Sequence, residues 1–290
     1  MAHSELPSGI EARLLKHSDL DSAVSLSQEA GWNQVAADWK LFLEFGAVIC
    51  LQRGDRVIAT AATLPYGGAF AWISMVLVTA AERRQGLARW LLQRCVEELC
   101  ARHLVPVLDA TPAGRVVYLR LGFRDHWTLH RVTSLSPRMP PQKPISSAIL
   151  RPITPADWPR IIAYDAKVFG AERGFLLRSL ASRQPNVALI AEEHRGLTGY
   201  LLSRDGRVMN QLGPVVAENE SIAADLLDQA IRMLSPPFAV DVPDHQTRLT
   251  DWLKRIGFAA ERSLTRMAYQ TNAAFDDGSR TFAIAGPELG

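Results

Sequence analysis

The chain has 290 residues, 48% hydrophobic and 21% charged, with 32 basic against 30 acidic side chains and a formal net charge of +2. That length allows about two globular domains, and the charge balance argues against nucleic acid as the main partner, since a phosphate-binding face usually shows as a basic excess. Cys50, Cys95 and Cys100, with no CxxC pair among them, fit a reducing compartment and speak against a disulfide scaffold or a structural zinc site.

The opening "MAHSELPSGI" lacks a basic stretch followed by an apolar one, so no secretory signal is expected. The longest nearly apolar run, residues 69–81, falls short of the ~18 residues a membrane helix needs. A cytoplasmic protein with no membrane partner is the expectation.

In chain order, residues 11–15 predict a short strand. Leu20, Val24 and Ser27 or Gln28 recur at helical spacing, which predicts a helix from Leu20 to Gly31; Trp39, Phe42 and Leu43 mark a second from Val35 to Phe45. "AVICLQ", the turn "RGDR" and "VIATAATL" predict an antiparallel hairpin, and "AFAWISMVLV" is apolar enough for a central strand. From Leu87 to His103, Leu87, Ala88, Leu91, Leu92, Cys95, Val96 and Leu99 form one helical stripe. "VPVLDA" predicts a strand, Val116–Leu121 a short helix closed by Gly122, and a last strand runs near Trp127 to Leu135. The class is α+β with one strand–helix–strand crossover.

"SPRMPPQKPISS", residues 136–147, concentrates proline among polar residues and predicts a linker between domains 1–135 and 148–290. Across it the chain repeats faintly. "LGF" at 121–123 matches "IGF" at 256–258, an offset of 257 − 122 = 135. At that offset Leu91, Leu92, Val96 and Leu99 fall on Leu226, Leu227, Ile231 and Leu234. The second half repeats the element order, from "AILRPI" and "ADWPRIIAYDAKVF" to "TRLTDWLKRI" and "SLTRMAY".

Chemistry concentrates at residues 76–99. A strand that hands over to a helix through a tight loop leaves the first helical N–H groups without partners, and with the helix dipole they suit an anion. Gly86 lets backbone approach a ligand closely, and Arg83 and Arg84 add charge able to clasp phosphate. A diphosphate is the natural occupant. Neither GxxxxGK[ST] nor GxGxxG is present, so neither a P-loop nor a dinucleotide fold supplies it.

The segment Arg83-Arg84-Gln85-Gly86-Leu87-Ala88 resembles the R/Q-x-x-G-x-G/A acyl-CoA loop of the GCN5-related N-acetyltransferase (GNAT) superfamily, and "GRVVYLRLGF" (114–123) resembles its tyrosine-plus-"LGF" signature. The resemblance implies two GNAT-like domains, each a mixed, mostly antiparallel sheet flanked by helices. It implies acetyl-CoA as acyl donor; no metal is expected, because no third ligand joins His126 and His130. Backbone of Met75, Val76 and Val78 would pair with the pantetheine arm, and amides from Arg84 through Gln85, Gly86, Leu87 and Ala88, with Arg89, would hold the pyrophosphate. Tyr118 matches the position that protonates the departing thiolate. The charge on the carbonyl oxygen would develop near the amides of Met75 or Val76.

The general base is left open among Glu29, Asp38 and Asp109. Trp32, Asn33 and Tyr66 are the candidate acceptor contacts, with Pro65, Gly67 and Gly68 beside Tyr66. His126 and His130 share i,i+4 spacing without an evident third metal ligand. In the second half Arg83 and Gly86 are replaced by Glu218 and Ser221, and Tyr118 by Leu253. Glu218 and Glu220 would each repel a diphosphate by ~1 kcal/mol at close range, so a GNAT-like domain without a CoA site is expected, with Phe169, Arg173, Asn210 and Asp241 as possible walls of the acceptor site. The expected function is transfer of acetyl to a small primary amine by direct attack. A non-catalytic CoA-binding or metabolite-sensing protein and a protein N-acetyltransferase are the alternatives.

Overall fold

The computed structural model describes residues 6–141, 143–194 and 196–290; residues 1–5 of the opening stretch, Gln142 of the expected linker and Arg195 lie outside them. Strands β1 (Glu11–Leu14), β2 (Ala47–Arg53), β3 (Arg56–Tyr66) and β4 (Phe70–Val78) form an antiparallel meander, with helices α1 (Leu20–Glu29) and α2 (Ala36–Phe45) between β1 and β2. Helix α3 (Leu87–Ala101) crosses over to β5 (Val105–Ala110), which runs parallel to β4. Helix α4 (Pro112–Arg120) and β6 (Phe123–Ser134) follow.

The apolar stripe of α3 is buried at Leu87, Leu91, Leu92, Cys95, Val96 and Leu99, and each fully buried aliphatic side chain of this size stabilises by about 1.5–3 kcal/mol. Ala88, expected in that stripe, is exposed at the mouth of the helix. Helix α4 starts at Pro112, before the expected Val116: Thr111 accepts a hydrogen bond from the Gly114 N–H at 3.2 Å, and a proline in the first turn gives up no helical donor.

The second half comprises β7 (Ile149–Pro152), α5 (Trp158–Phe169), α6 (Gly174–Arg183), β8 (Leu189–Glu193), β9 (Gly196–Arg204), β10 (Asn210–Ala217), α7 (Glu220–Met233), β11 (Phe238–Pro243), α8 (Thr247–Arg255), β12 (Ala259–Tyr269) and β13 (Thr281–Ala283). No helix among the described residues is long and apolar enough to cross a membrane.

The strands join in one sheet, ordered β1-β2-β3-β4-β5-β12-β6-β11-β10-β9-β8-β7, with β13 paired to β10. The halves have exchanged their last long strands. β12 lies against β5, with Thr265–Ala268 opposite Ala110–Val107, and β6 lies against β11 from Leu129 to Ser134. The two exchanged strands pair with each other along most of their length. Arg266 on β12 fastens the exchange. Its buried guanidinium donates to both oxygens of Asp109 at 3.0 Å and lies over the rings of Trp72 and Trp127, 4.5 and 4.1 Å from their centroids.

Each half also contains a wedge where parallel strands part. β4 and β5 pair only from Phe70 to Trp72, opposite Val105–Val107. β10 and β11 pair only at Asn210 and Gln211. In the second half the gap is filled by the chain itself: β13 pairs with β10 at Val215 and Val216, and the Ile284 N–H donates to the Asp241 carbonyl of β11. Beyond β13 the chain crosses to the first half, where Trp72 Nε1 donates to the Pro287 carbonyl and Tyr66 Oη to the Leu289 carbonyl, and Arg173 of the second half donates to the Gly290 carbonyl.

Removing one member of a buried ion pair strands its partner at a cost of about 3–5 kcal/mol. Arg266→Met is therefore expected to lower the free energy of chemical unfolding by about that amount, with β12 losing its anchor in the first half; a loss below about 1 kcal/mol would contradict this account of the exchange.

Candidate active site

Beyond Trp72, β4 has no strand on its β5 side, so the residues that follow present an unpaired backbone edge to the wedge. A β-bulge sharpens the parting. Ser74 stands opposite Ala62 and Leu77 opposite Thr60, so Met75 and Val76 share one partner position; Met75 takes φ 52° and its carbonyl accepts from Thr60 Oγ1 at 2.9 Å. Met75 and Val76, the residues expected at the reacting carbonyl, line the resulting cleft. Val78 lies further along the same edge.

At the end of β4 the loop turns through two left-handed residues, Arg84 (φ 66°) and Gly86 (φ 79°), into α3. The first i→i−4 bond of that helix runs from Trp90 to Gly86, so the amides of Leu87, Ala88 and Arg89 precede the ladder. A Cβ added at Gly86 would meet nothing within 4 Å; the space before the helix is open.

The loop's side chains are partly committed to bracing it. Arg83 Nε donates to the Val78 carbonyl at 3.1 Å, leaving the rest of its fork exposed, and Gln85 turns to Glu82, which pairs with Arg53. Glu29, a candidate base, is a loop brace: its carboxylate accepts from the Thr79 hydroxyl and the Ala80 amide, and these bonds hold it below the ordinary glutamate range.

A cavity of about 160 Å³ opens where the wedge meets the loop between α1 and α2. Its lining includes Trp32 and Gln34 from that loop, Ile73–Val76 from β4, Leu108 and Asp109 from β5, Tyr118 from α4, Arg262 and Leu264 from β12, and Pro287 and Glu288 from the terminal segment. Burial pushes the Tyr118 phenol above its ordinary value, so it holds its proton at neutral pH. Asp109, another candidate base, borders the cavity with both oxygens taken by Arg266. Asp38, the third, is buried outside the lining, where it pairs with Arg183 and Arg204 and caps α2 through the Val35 amide.

Of the expected acceptor contacts, Trp32 reaches the cavity. Asn33 does not: its amide closes the 206–209 turn, accepting from the Val208 and Met209 amides and donating to the Met209 carbonyl. Tyr66 is buried among Phe70, Trp72, Phe169 and Phe175, and the glycine turn after it packs on Ala171 and Glu172. Phe169, Arg173, Asn210 and Asp241 lie outside the lining as well; Arg173 pairs with Asp165 and Asp241 with Arg131. His130 turns to Asp244 and His126 to the Thr271 carbonyl.

Glu288 was invisible to spacing, because nothing in "AIAGPELG" says where the tail docks. Burial alone would raise its carboxyl; Arg204, the Gln34 amide and Arg131 outweigh that and hold it below the ordinary range.

The second half has closed the equivalent ground. Asn219 caps α7 by accepting from the Ile222 amide, and Glu218 at its mouth pairs with Arg280, the residue before β13.

The Glu29 brace gives a pH signature. Its folded value is depressed, so its contribution is complete above the ordinary value of 4.5 and is lost as the pH falls through the folded value. Acidification below pH 4.5 should speed hydrogen exchange at Ala80, and Glu29→Gln should reproduce this at neutral pH by a factor of about two to five. Unchanged exchange in the variant would remove Glu29 as the loop's brace.

Two family models, both described as acetyltransferase (GNAT) domain, match residues 44–125 and 161–283. An uncharacterised N-acetyltransferase of Bacillus subtilis, YitH, is 24% identical over 277 residues, covering 95% of this chain and 97% of its own. Among solved structures, one from Pyrococcus horikoshii superposes with a TM-score of 0.81 at 19% identity, over 100% of this chain and 99% of its own. A GCN5-related N-acetyltransferase from Sphaerobacter thermophilus superposes at 0.65 with 18% identity, over 91% and 96%. With a GNAT domain in each half and one sheet running through both, the chain belongs to the GCN5-related N-acetyltransferases as a tandem member.

Proposed function

We propose that the first half transfers an acetyl group from acetyl-CoA to the primary amine of a small molecule by direct attack. The observation that carries this reading is the asymmetry of the two wedges. The β10–β11 wedge holds β13, whereas the β4–β5 wedge opens onto a helix mouth, a tyrosine and a cavity.

The residues present fit such a donor. The β4 edge from Met75 to Val78 offers backbone to an extended arm, and the amides of Leu87, Ala88 and Arg89, flanked by Arg83 and Arg84, suit its diphosphate. The cavity, walled by several elements and by the terminal segment, suits a small molecule better than an extended peptide.

In the reaction the amine lone pair forms the new C–N bond as the C–S bond breaks. The β4 amides at the bulge lie beside the carbonyl oxygen as it gathers charge. Tyr118 gives its proton to the sulfur and regains one from solvent. Glu288, kept ionised by Arg204 and Gln34, is too weakly basic to retain a proton; it holds the amine by its N–H, and the released proton passes to water.

Tyr118→Phe should lower kcat by about 10²-fold or more while leaving CoA affinity within about twofold. Unchanged turnover would remove Tyr118 from the proton path. Arg83→Glu combined with Arg84→Glu should abolish CoA binding measured by titration calorimetry, and retained affinity would place the donor elsewhere. Absence of turnover across a broad amine panel, with CoA still bound, would favour a sensor.

A further inference from the structure

Three buried polar side-chain atoms without a hydrogen-bond partner border the same cavity: Gln34 Oε1, Ser74 Oγ and Arg262 Nε. A buried polar atom left unpaired carries its full desolvation penalty, and a cluster of them around a cavity marks where a ligand supplies the missing partners.

Arg262 is the most telling. Its guanidinium is half-buried on β12, directly across the ladder from Arg131, and makes no ion pair or hydrogen bond among the described residues. Of the carboxylates within its field, the two buried ones are already claimed, Asp241 by Arg131 at 2.8 and 2.6 Å and Glu288 by Arg204, while the third, Glu261, is exposed at the neighbouring position of β12. Burial and the facing Arg131 both push Arg262 below the ordinary arginine value, against the pull of Asp241, Glu288 and Glu261. A cation kept at such a disadvantage beside a second cation, on the wall of a cavity, is a receptor for an anion.

We propose that the acceptor is amino acid-like: its carboxylate pairs with the Arg262 guanidinium while its primary amine is held by Glu288 and Gln34 Oε1. This rests on the reading of the first-half cavity as the acetyl-transfer site. The groups are complementary in kind, since Arg262 only donates, Glu288 only accepts, and Gln34 presents its carbonyl oxygen unpaired. Size agrees. A cavity of about 150 Å³ takes a molecule the size of benzene, so the 160 Å³ here suits a compact amino-acid frame against Trp32 and Leu264. A planar carboxylate matches the guanidinium fork, whereas the second charge of a phosphate would face Asp109 and Glu288 on the same walls.

The test compares matched amines, each a free amino acid with a small apolar side chain and its carboxamide, together with an aminoalkyl phosphate. For wild type, KM should be lower for the free acid than for the carboxamide by about tenfold or more. Arg262→Gln should raise KM for the free acid by about 10- to 100-fold with a smaller change in kcat. It should leave the carboxamide's KM and the CoA affinity within about twofold, and Arg262→Lys should recover part of the loss.

Wild type that acetylates acid and carboxamide equally would overturn the proposal without a variant and leave the transferase reading standing. Loss of discrimination in neither variant, or preference for the phosphate, would overturn it too. Acetylation of no amine in any class would bring down both this inference and the small-amine reading beneath it.

Discussion

A strand whose neighbour turns away inside a protein leaves amides and carbonyls that need partners. Both halves of this chain face that constraint, at the partings of β4 from β5 and of β10 from β11. The second half meets it internally with β13, whose pairs with β10 occupy the edge. The first half leaves the edge bare and surrounds it with the open mouth of α3, with Tyr118 and with the cavity. One backbone problem thus has two solutions in a single chain. The loss of loop chemistry in the second half follows from its solution: with β13 in place, Glu218 serves to pair Arg280, and Asn219 caps α7.

The same segment ties the filled wedge to the open one. Residues after β13 run to the first half, where backbone carbonyls accept from Trp72 and Tyr66, while Arg173 and Arg204 of the second half hold the Gly290 carbonyl and Glu288. Strand exchange delivers two further residues, Arg262 and Leu264, to the cavity. The second half therefore supplies Arg262, Leu264, Pro287 and Glu288 to a site whose loop and tyrosine come from the first. The sheet is built so that neither half alone can complete that cavity.

Much of this was legible in the sequence. Apolar runs on either side of the RGDR turn gave β2 and β3, the long apolar run after them gave β4, the 3.6-residue stripe gave α3, and the loop from Arg83 to Ala88 stands at a strand–helix junction. The faint repeat, at one offset through helix and "GF", foretold two copies of one architecture. The acceptor side was far less legible, for a physical reason. Its walls are set by pairings more than 100 residues apart in sequence: β12 against β5, and the terminal segment against Trp72. Local patterning carries no information about strand exchange, so nothing in the sequence singled out Arg262 or Glu288. Tyr66 and Asn33 were drawn toward the site by their positions in loops, yet each is consumed by a long-range hydrogen bond, to Leu289 and to the 208–209 backbone. Glu29, expected as a candidate base, is instead the acceptor that shapes the loop.

The buried charges between the halves show why such a site keeps ion pairs at all. Asp38, Arg204 and Glu288 form a chain of buried pairs, and Arg131 with Asp241 lies close by. Well-packed apolar residues often stabilise a core as much as a buried pair does, because each ion gives up its hydration. What apolar packing cannot supply is a carboxylate fixed on the wall of a half-enclosed cavity. Arg204 is fully buried and anchored by Asp38 on its far side, so it holds Glu288 in one place and in one charge state. The network thus converts the docking of a short terminal segment into an oriented negative charge on the cavity wall. Stability alone gives no reason to place it there, and the proposed transfer to an amine gives it a use.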